Sequence, residues 1–512
     1  MTYDLPPALP PTATPADYSR IHFDPAAVPA KRIVGLLACQ RDPLLRSLNS
    51  RVVAARPASD APLAQKGRDR KKKGSEASSA ATSAAPSGAA TPTGKLWEVE
   101  LEDTVIFPEG GGQPWDTGVL RVRDANGSEH AFAVEACVRR GLDAVHRVRV
   151  PEGSSVDFAT LEGADAVAEV HWDRRRDHMV THTAQHLLSA VLDAKGLPTL
   201  SWGMGQFPSI DAPYVELPRG LTWAEAQAAE EECNAHIREG LKVWIDVTMQ
   251  GDNGEVRDDE RAGDVEREFR GIPKDYTGGV IRHCNITGVD RNACCGTQCP
   301  DLSHVGFLHV LPPGTPHLSD TPSSTTPTRL YFVAGPRAIA HLQHASRELS
   351  RAGQAVNVGR NDLHERVAKI EANRFEQAEG AKAMKGELAR LVADAAAGTP
   401  GSVVALHRAE KATHDFDFLS AVAGAWCDAR SADTIVLTSA VPAAPPALLL
   451  VQSKDHDRAK AVFDAVKAAL AGSDKARVKG GGARGRYMAK VDGKWGKGEA
   501  EALERVLAEL RA

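Results

Sequence analysis

The chain has 512 residues, 42% of them apolar, and a formal net charge of −5. That length allows two to four domains, and the charge excludes a globally basic nucleic-acid binder, so any such contact must be local. No run of about 18 apolar residues occurs, which excludes a helical membrane span.

The first residues, MTYDLPPALPPTATPADYSR, are polar and proline-rich and lack the basic-then-apolar pattern of a signal peptide. Residues 1–30 read as a mobile tail. An apolar stretch begins near Ile33, and from about 57 to 94 the composition falls to "KGRDRKKKGSEASSAATSAAPSGAATPTG". This segment cannot bury a core and reads as a disordered insert. Its basic run, Lys66 to Lys73, is either a solvated loop or an arm that touches RNA or directs localisation.

The stretch "LWEVELEDTVIFPEGGGQPWDTGVLRVRD" (96–124) reads as strands about a glycine turn, with Trp97, Val99 and Leu101 alternating. Residues 172–196 are predicted helical, with Met179, Leu187, Leu188, Val191 and Leu192 on an apolar side and Gly196 as a stop. A second helix starts at Thr222, followed by Glu225 in capping-box spacing. Strands follow at "KVWIDVTM", "VIRHCNI", "VGFLHVL" and "LYFVAG", so 171–335 forms one α+β domain. Residues 336–395 are helical, with an apolar stripe interrupted at Arg374 and Gln377, which predicts a helical hairpin or short coiled coil. Residues 396–512 alternate apolar runs (Val403 to Leu406, Thr434 to Thr438, Ala447 to Gln452) with helices at 457–471 and 498–511, a small α/β domain. Within it, Gly480–Gly482 with Arg484, Arg486, Lys490, Lys494 and Lys497 is either a flexible solvated loop or a phosphate-binding run.

Chemistry concentrates at two places. His182 and His186 stand at i and i+4 on the predicted helix, so both rings leave one face within reach of one ion. Farther on in the same domain, "ACCGTQCP" brings Cys294, Cys295 and Cys299 together. Neutral imidazoles with a thiolate suit Zn²⁺. The eight cysteines are otherwise scattered and do not form a disulfide framework, which points to a reducing, cytoplasmic setting. His178, one turn earlier, is expected at the surface or behind the ligands. Thr183 and Gln185 are expected to face away from the ion.

Four segments, "FPEGGGQPWDTG", "THTAQHLL", "ACCGTQCPDLSHVG" and "TRLYFVAGPR", resemble in order and spacing the motifs of the alanyl-tRNA editing domains. The whole is similar to the long AlaX type, a free-standing counterpart of the editing and C-terminal domains of alanyl-tRNA synthetase. The resemblance implies an α+β protein. A glycine-motif β-barrel (31–170), a zinc editing domain (171–335), the helical segment and a C-terminal tRNA-binding or dimerisation domain would follow one another. It implies deacylation of tRNA(Ala) mischarged chiefly with serine, Zn²⁺ as cofactor, tRNA as partner and a possible homodimer. His182, His186 and Cys294 match three ligand positions. Gly110, Gly111, Gly112 and Gln113, with Arg484 and Arg486, would meet the substrate.

The fourth ligand position holds Gln298 where the family has histidine. Zinc could keep three protein ligands with Gln298 touching a bound water; Cys299 could replace the histidine; or the metal could be lost, leaving a tRNA-binding protein without catalysis. A full alanyl-tRNA ligase is disfavoured, because no ATP-using synthetase core is present.

Overall fold

The computed structural model describes residues 2–4, 9–29, 31–59, 94–124, 126–205, 207–208, 212–251, 273, 275–311, 327–430, 432–441, 444–472, 477–493 and 495–511. The basic run 66–73 and Lys494 lie outside them. The chain forms two compact units, residues 1–348 and 349–512.

The first unit opens with a strand where a tail was expected. β1 (Ser19–Ile21) lies parallel to the strand at 243–249, with Ser19 opposite Ile245. Tyr18, Ile21 and Phe23 are buried in the core around it. Three large apolar side chains within six residues outweigh the upstream prolines, because burying each is worth about 1.5–3 kcal/mol. After α1 (Ala38–Arg41) come β2 (Ser47–Pro57), β3 (Lys95–Leu101), β4 (Gly118–Arg123), β5 (Glu129–Arg140), β6 (Asp143–Val150) and β7 (Asp165–Val170). They close into a barrel in the order β2-β3-β6-β5-β4-β7. Val99, Leu120, Val122, Phe132, Val134 and Val148 fill it, and closure leaves no unpaired edge.

The chain leaves β7 directly into α2 (Trp172–Ala194). The expected apolar residues are buried, but so is every residue from Asp177 to Leu192. This is a central helix wrapped on all sides. Gly196, at φ 74°, follows its end. β8 (Ser201–Gly203) and β9 (Tyr214–Leu217) precede α3 (Trp223–Glu239). The predicted capping box is present: Glu225 N donates to Thr222 Oγ1 at 3.2 Å, and Thr222 N donates to Glu225 Oε2 at 2.8 Å. β10 (Val243–Met249), β11 (Val280–Ile286), β12 (Asp290–Ala293), β13 (Leu308–Val310) and β14 (Thr328–Ala334) complete two four-stranded sheets, β1-β10-β11-β12 and β13-β14-β9-β8.

α4 (Gly335–Ala355) leads out of this unit and is followed by α5 (Leu363–Ala397). The second unit continues with β15 (Val403–Arg408), α6 (Phe416–Ala429), β16 (Thr434–Val441), β17 (Ala444–Ser453), α7 (His456–Ala471), β18 (Val478–Ala483), β19 (Arg486–Val491) and α8 (Lys497–Arg511). Its sheet, β15-β16-β17-β19-β18, is covered on one face by α5 and α6 and on the other by α7 and α8. Alternation along β16 explains both layers: Ile435 and Leu437 pack with Trp426, while Val436 packs with Phe463.

The glycine-rich run was open to reading as a flexible loop; it is the edge hairpin β18–β19. A Cβ at Gly480 or Gly482 would stand 2.2 or 2.0 Å from a backbone oxygen of the neighbouring strand, so glycine lets the strands approach here. No helix among the described residues is long and apolar enough to cross a membrane.

Candidate metal centre

α2 supplies the first two groups. His182 and His186 are one turn apart, with ring centroids 5.2 Å from each other. β12 supplies the third: its pairing with β11, His283 opposite Ala293, delivers Cys294 and the loop after it onto α2. One ligand atom each from His182, His186 and Cys294 lie within 4.8 Å of one another. Cys294 Sγ is 3.5 Å from His182 Nε2. A tetrahedral zinc with Zn–S near 2.3 Å and Zn–N near 2.05 Å separates S from N by about 3.6 Å. The spacing therefore fits one shared ion.

The far sides of both rings are held. His182 Nδ1 lies 2.9 Å from Gln113 Oε1, and His186 Nδ1 lies 3.1 Å from Asp290 Oδ2. Gln113 is itself fixed, since Thr297 N donates to its Oε1 at 3.0 Å and its Nε2 donates to Thr297 Oγ1 at 2.9 Å. An oxygen facing each Nδ1 places the proton there and leaves the Nε2 lone pair for the ion. Burial works against charge on both partners, yet their contact works the other way. The Cys294 sulfur and Asp290 hold His186 up at about 9. The two histidines hold the Cys294 thiol well below its ordinary 9.0.

The loop has little freedom. Arg282 donates to Gly296 O (2.7 Å), Gln40 donates to Cys295 O (2.6 Å) and Tyr18 donates to Gln298 O (3.0 Å). Gly296 lies under His182: a Cβ there would sit 2.3 Å from two ring atoms. The glycine turn closes in from the barrel. A Cβ on Gly111 would meet Cys295 Sγ at 2.7 Å, and one on Gly112 would meet the Trp202 ring at 2.5 Å. Trp202 in turn packs on His182, with centroids 4.9 Å apart. Gln113, expected among the substrate contacts, is 2% exposed and turned toward His182.

Gln298 is fully buried; its Nε2 donates to Cys294 Sγ at 3.2 Å and its Oε1 accepts from Thr183 at 2.8 Å. Thr183 thus reaches the metal loop, against the expectation that it faces away. The expectation considered the helix alone, but the loop wraps far enough round α2 to meet the residue after His182. Gln185 does point elsewhere, donating to Ser189 Oγ at 2.8 Å. Cys299 stands outside the ligand group; burial pushes its thiol up to about 12, and its N–H donates to Thr183. His178 is fully buried beside the Asp116–Arg175 ion pair. In the second unit, Arg484, Arg486, Lys454 and His456 line a polar groove of about 440 Å³.

Asp290, Gln40, Arg282 and Tyr18 support the site and carried no signal in the sequence, because each acts across a distance set by the fold. The arrangement offers two nitrogens and one sulfur, all buried. His182, His186 and Cys294 would hold a borderline-soft ion with three protein atoms, and such an ion would supply Lewis-acid chemistry to an oxygen of water or substrate.

No family model matches the chain. It is 30% identical over 412 residues to the alanyl-tRNA editing protein Aarsd1 of Mus musculus, covering 80% of this chain and 87% of that protein. It is 28% identical over 470 residues to the Aarsd1 of Danio rerio, covering 91% and 96%. It is also 30% identical over 301 residues to the alanine–tRNA ligase of Pyrococcus abyssi, a match that spans 57% of this chain and 29% of the ligase.

Proposed function

The chain belongs to the family of alanyl-tRNA editing proteins, and from that premise we propose that it is an aminoacyl-tRNA deacylase. It would act in trans on tRNA(Ala) carrying the wrong amino acid, chiefly serine, and hydrolyse the aminoacyl ester. The observation that carries this reading is the convergence of His182 Nε2, His186 and Cys294 Sγ in one buried group with both imidazoles oriented from behind. These residues fit Zn²⁺, which when bound would supply Lewis-acid polarisation of an oxygen at the ester. His182, His186 and Cys294 would hold it. Gln113 and Asp290 would keep the two rings in the ligating tautomer, and Trp202 with the glycine turn would wall the site. The free thiols of all eight cysteines support a cytoplasmic setting.

The test is hydrolysis of seryl-tRNA(Ala) by purified, zinc-loaded protein. His182→Ala and His186→Ala should each abolish it. Activity that survives both changes sinks the metal assignment, and a zinc-loaded wild type without activity sinks the hydrolase.

The groove at Lys454, His456, Arg484 and Arg486 is our candidate for the tRNA backbone, because Arg484 and Arg486 of the edge hairpin and Lys454 just after β17 cluster cations that suit phosphates.

We further propose self-association through α5. Leu363, Val367, Ile370, Arg374, Gln377, Ala381, Met384, Leu388 and Leu391 recur in alternating steps of four and three, the spacing of a coiled-coil seam. Val367, Met384 and Leu391 are 46%, 67% and 61% exposed. The opposite side of the helix, at Ala389, Ala393 and Ala396, is committed to α6. An antiparallel pair has one register that sets Arg374 against Gln377 of a second copy. The same register matches Val367 with Met384, Ile370 with Ala381, Leu363 with Leu388, and Arg366 with Glu387. A parallel pair would stack Arg374 on itself. Sedimentation equilibrium decides: a dimer that Met384→Glu dissociates supports the seam, and a monomer at all concentrations rejects it.

A further inference from the structure

We propose that Gln298 is a positioning residue for the metal site and not a substitute ligand: clamped by Thr183, it donates an N–H to the Cys294 sulfur and leaves the fourth coordination place open. The inference rests on the metal-dependent reading above and assigns one residue within it.

Donor and acceptor polarity can be followed along the chain of contacts. The Cys299 N–H can only donate, so Thr183 Oγ1 accepts from it at 2.9 Å. The hydroxyl then has one proton and two neighbouring acceptors, Met179 O at 2.9 Å and Gln298 Oε1 at 2.8 Å. Met179 O already sits in the i to i+4 ladder of α2, where Thr183 N–H is its partner. The proton therefore goes to Gln298, whose oxygen lies in a fully buried pocket where an unsatisfied acceptor would cost about 1–3 kcal/mol. With Oε1 facing Thr183, the amide nitrogen must face Cys294, where it lies 3.2 Å from Sγ. Turning the amide over would aim oxygen lone pairs at the sulfur's own lone pairs and leave that sulfur with one donor fewer.

The sulfur receives a second N–H from Gly296, at 3.4 Å. Two donors on one thiolate draw charge from it, so the sulfur gives less charge to a bound ion and the ion stays a stronger Lewis acid. The Gln298 backbone is pinned by Tyr18 at 3.0 Å, so the side chain cannot swing to offer its oxygen without breaking the Thr183 contact. A histidine at this position would add a nitrogen ligand. Glutamine held this way adds none.

The experiment replaces zinc with cobalt in the full-length protein and reads two features of the spectrum. The sulfur-to-cobalt charge-transfer band reports the N–H···S contact, and the ligand-field bands report which atoms coordinate. We expect Gln298→Leu to shift the charge-transfer band while the ligand-field pattern stays that of wild type. Thr183→Val should give the same shift, and Thr183→Ser, which restores the hydroxyl, should reverse it. Gln298→Glu retains an oxygen but loses the donor, and should shift the charge-transfer band as Gln298→Leu does. These four variants keep the test readable if one of them fails to fold. The proposal falls if Gln298→Leu rearranges the ligand-field bands, because the amide oxygen is then a ligand. It also falls if none of the variants moves the charge-transfer band. A wild-type protein that takes up no cobalt or zinc removes the metal-dependent reading itself, and this assignment with it, a result distinct from either of those.

Discussion

At the scale of single residues, the site depends as much on what stands behind the ligands as on the ligands. Gln113→Leu and Asp290→Asn leave all three ligand side chains in place, yet each should weaken metal binding about 10- to 100-fold. Competition titration against a chromophoric chelator reads this, and unchanged affinity in both variants would remove their orienting role. His186 gives one side of the pH dependence. Its metal-free pKa is raised from 6.5 to about 9, so its contribution to stability is complete below 6.5 and is lost as pH rises through about 9. The Cys294 thiol, held below 9.0 by the two histidines, contributes in the opposite sense across that window, so thermal unfolding of the metal-free protein should change little between those two pH values. Metal binding needs the neutral ring, so uptake near neutral pH should release a proton, and calorimetry in buffers of different ionisation enthalpy will count it. His182, His186 and Cys294 stood out in the sequence because residue type and spacing express ligand chemistry locally. Asp290 and the inward turn of Gln113 did not, because their partners are brought to them by the sheet and barrel registers.

At the scale of elements, legibility followed the strength of the local signal. The α3 start was readable because a capping box is written within four residues, and the structure contains it. Removing it with Glu225→Ala should cost about 1 kcal/mol in chemical denaturation. The contact with Arg219, ahead of the bonds from Thr222, pulls the Glu225 carboxyl down from 4.5 to about 2. Because the folded value is the lower one, this contribution is intact above pH 4.5 and fades as pH falls toward 2, and the variant should show no such loss. β1 was missed because three residues carry no periodicity, and only the core it joins makes it a strand. The β18–β19 hairpin was missed because glycine argues against a strand wherever the closeness of the neighbouring backbone is unknown. On α5, Arg366→Glu should weaken the dimer and Glu387→Arg in the same chain should restore it, since the proposed register sets these two opposite each other; sedimentation of both variants checks the pairing.

At the scale of the whole molecule, the division into two compact units separates a buried chemical site from an exposed basic groove. Arg484→Ala and Arg486→Ala should weaken tRNA binding and lower its salt dependence by about one ion each, while metal content stays unchanged. Loss of metal in either variant would contradict that separation. Within the first unit, the grip of Gln113 on His182 joins the barrel to the metal helix, and this has a consequence for biosynthesis. The ribosome releases Gln113 first, then His182 and His186, and Cys294 last. A nascent chain that has exposed only α2 carries two imidazoles but no sulfur. One whose barrel has failed to close lacks the group that orients the first ring. On the proposed metal-dependent reading, metal loading would report that synthesis has passed Cys294 and that both modules have docked, and an immature chain would lack the proposed esterase chemistry near the ribosome.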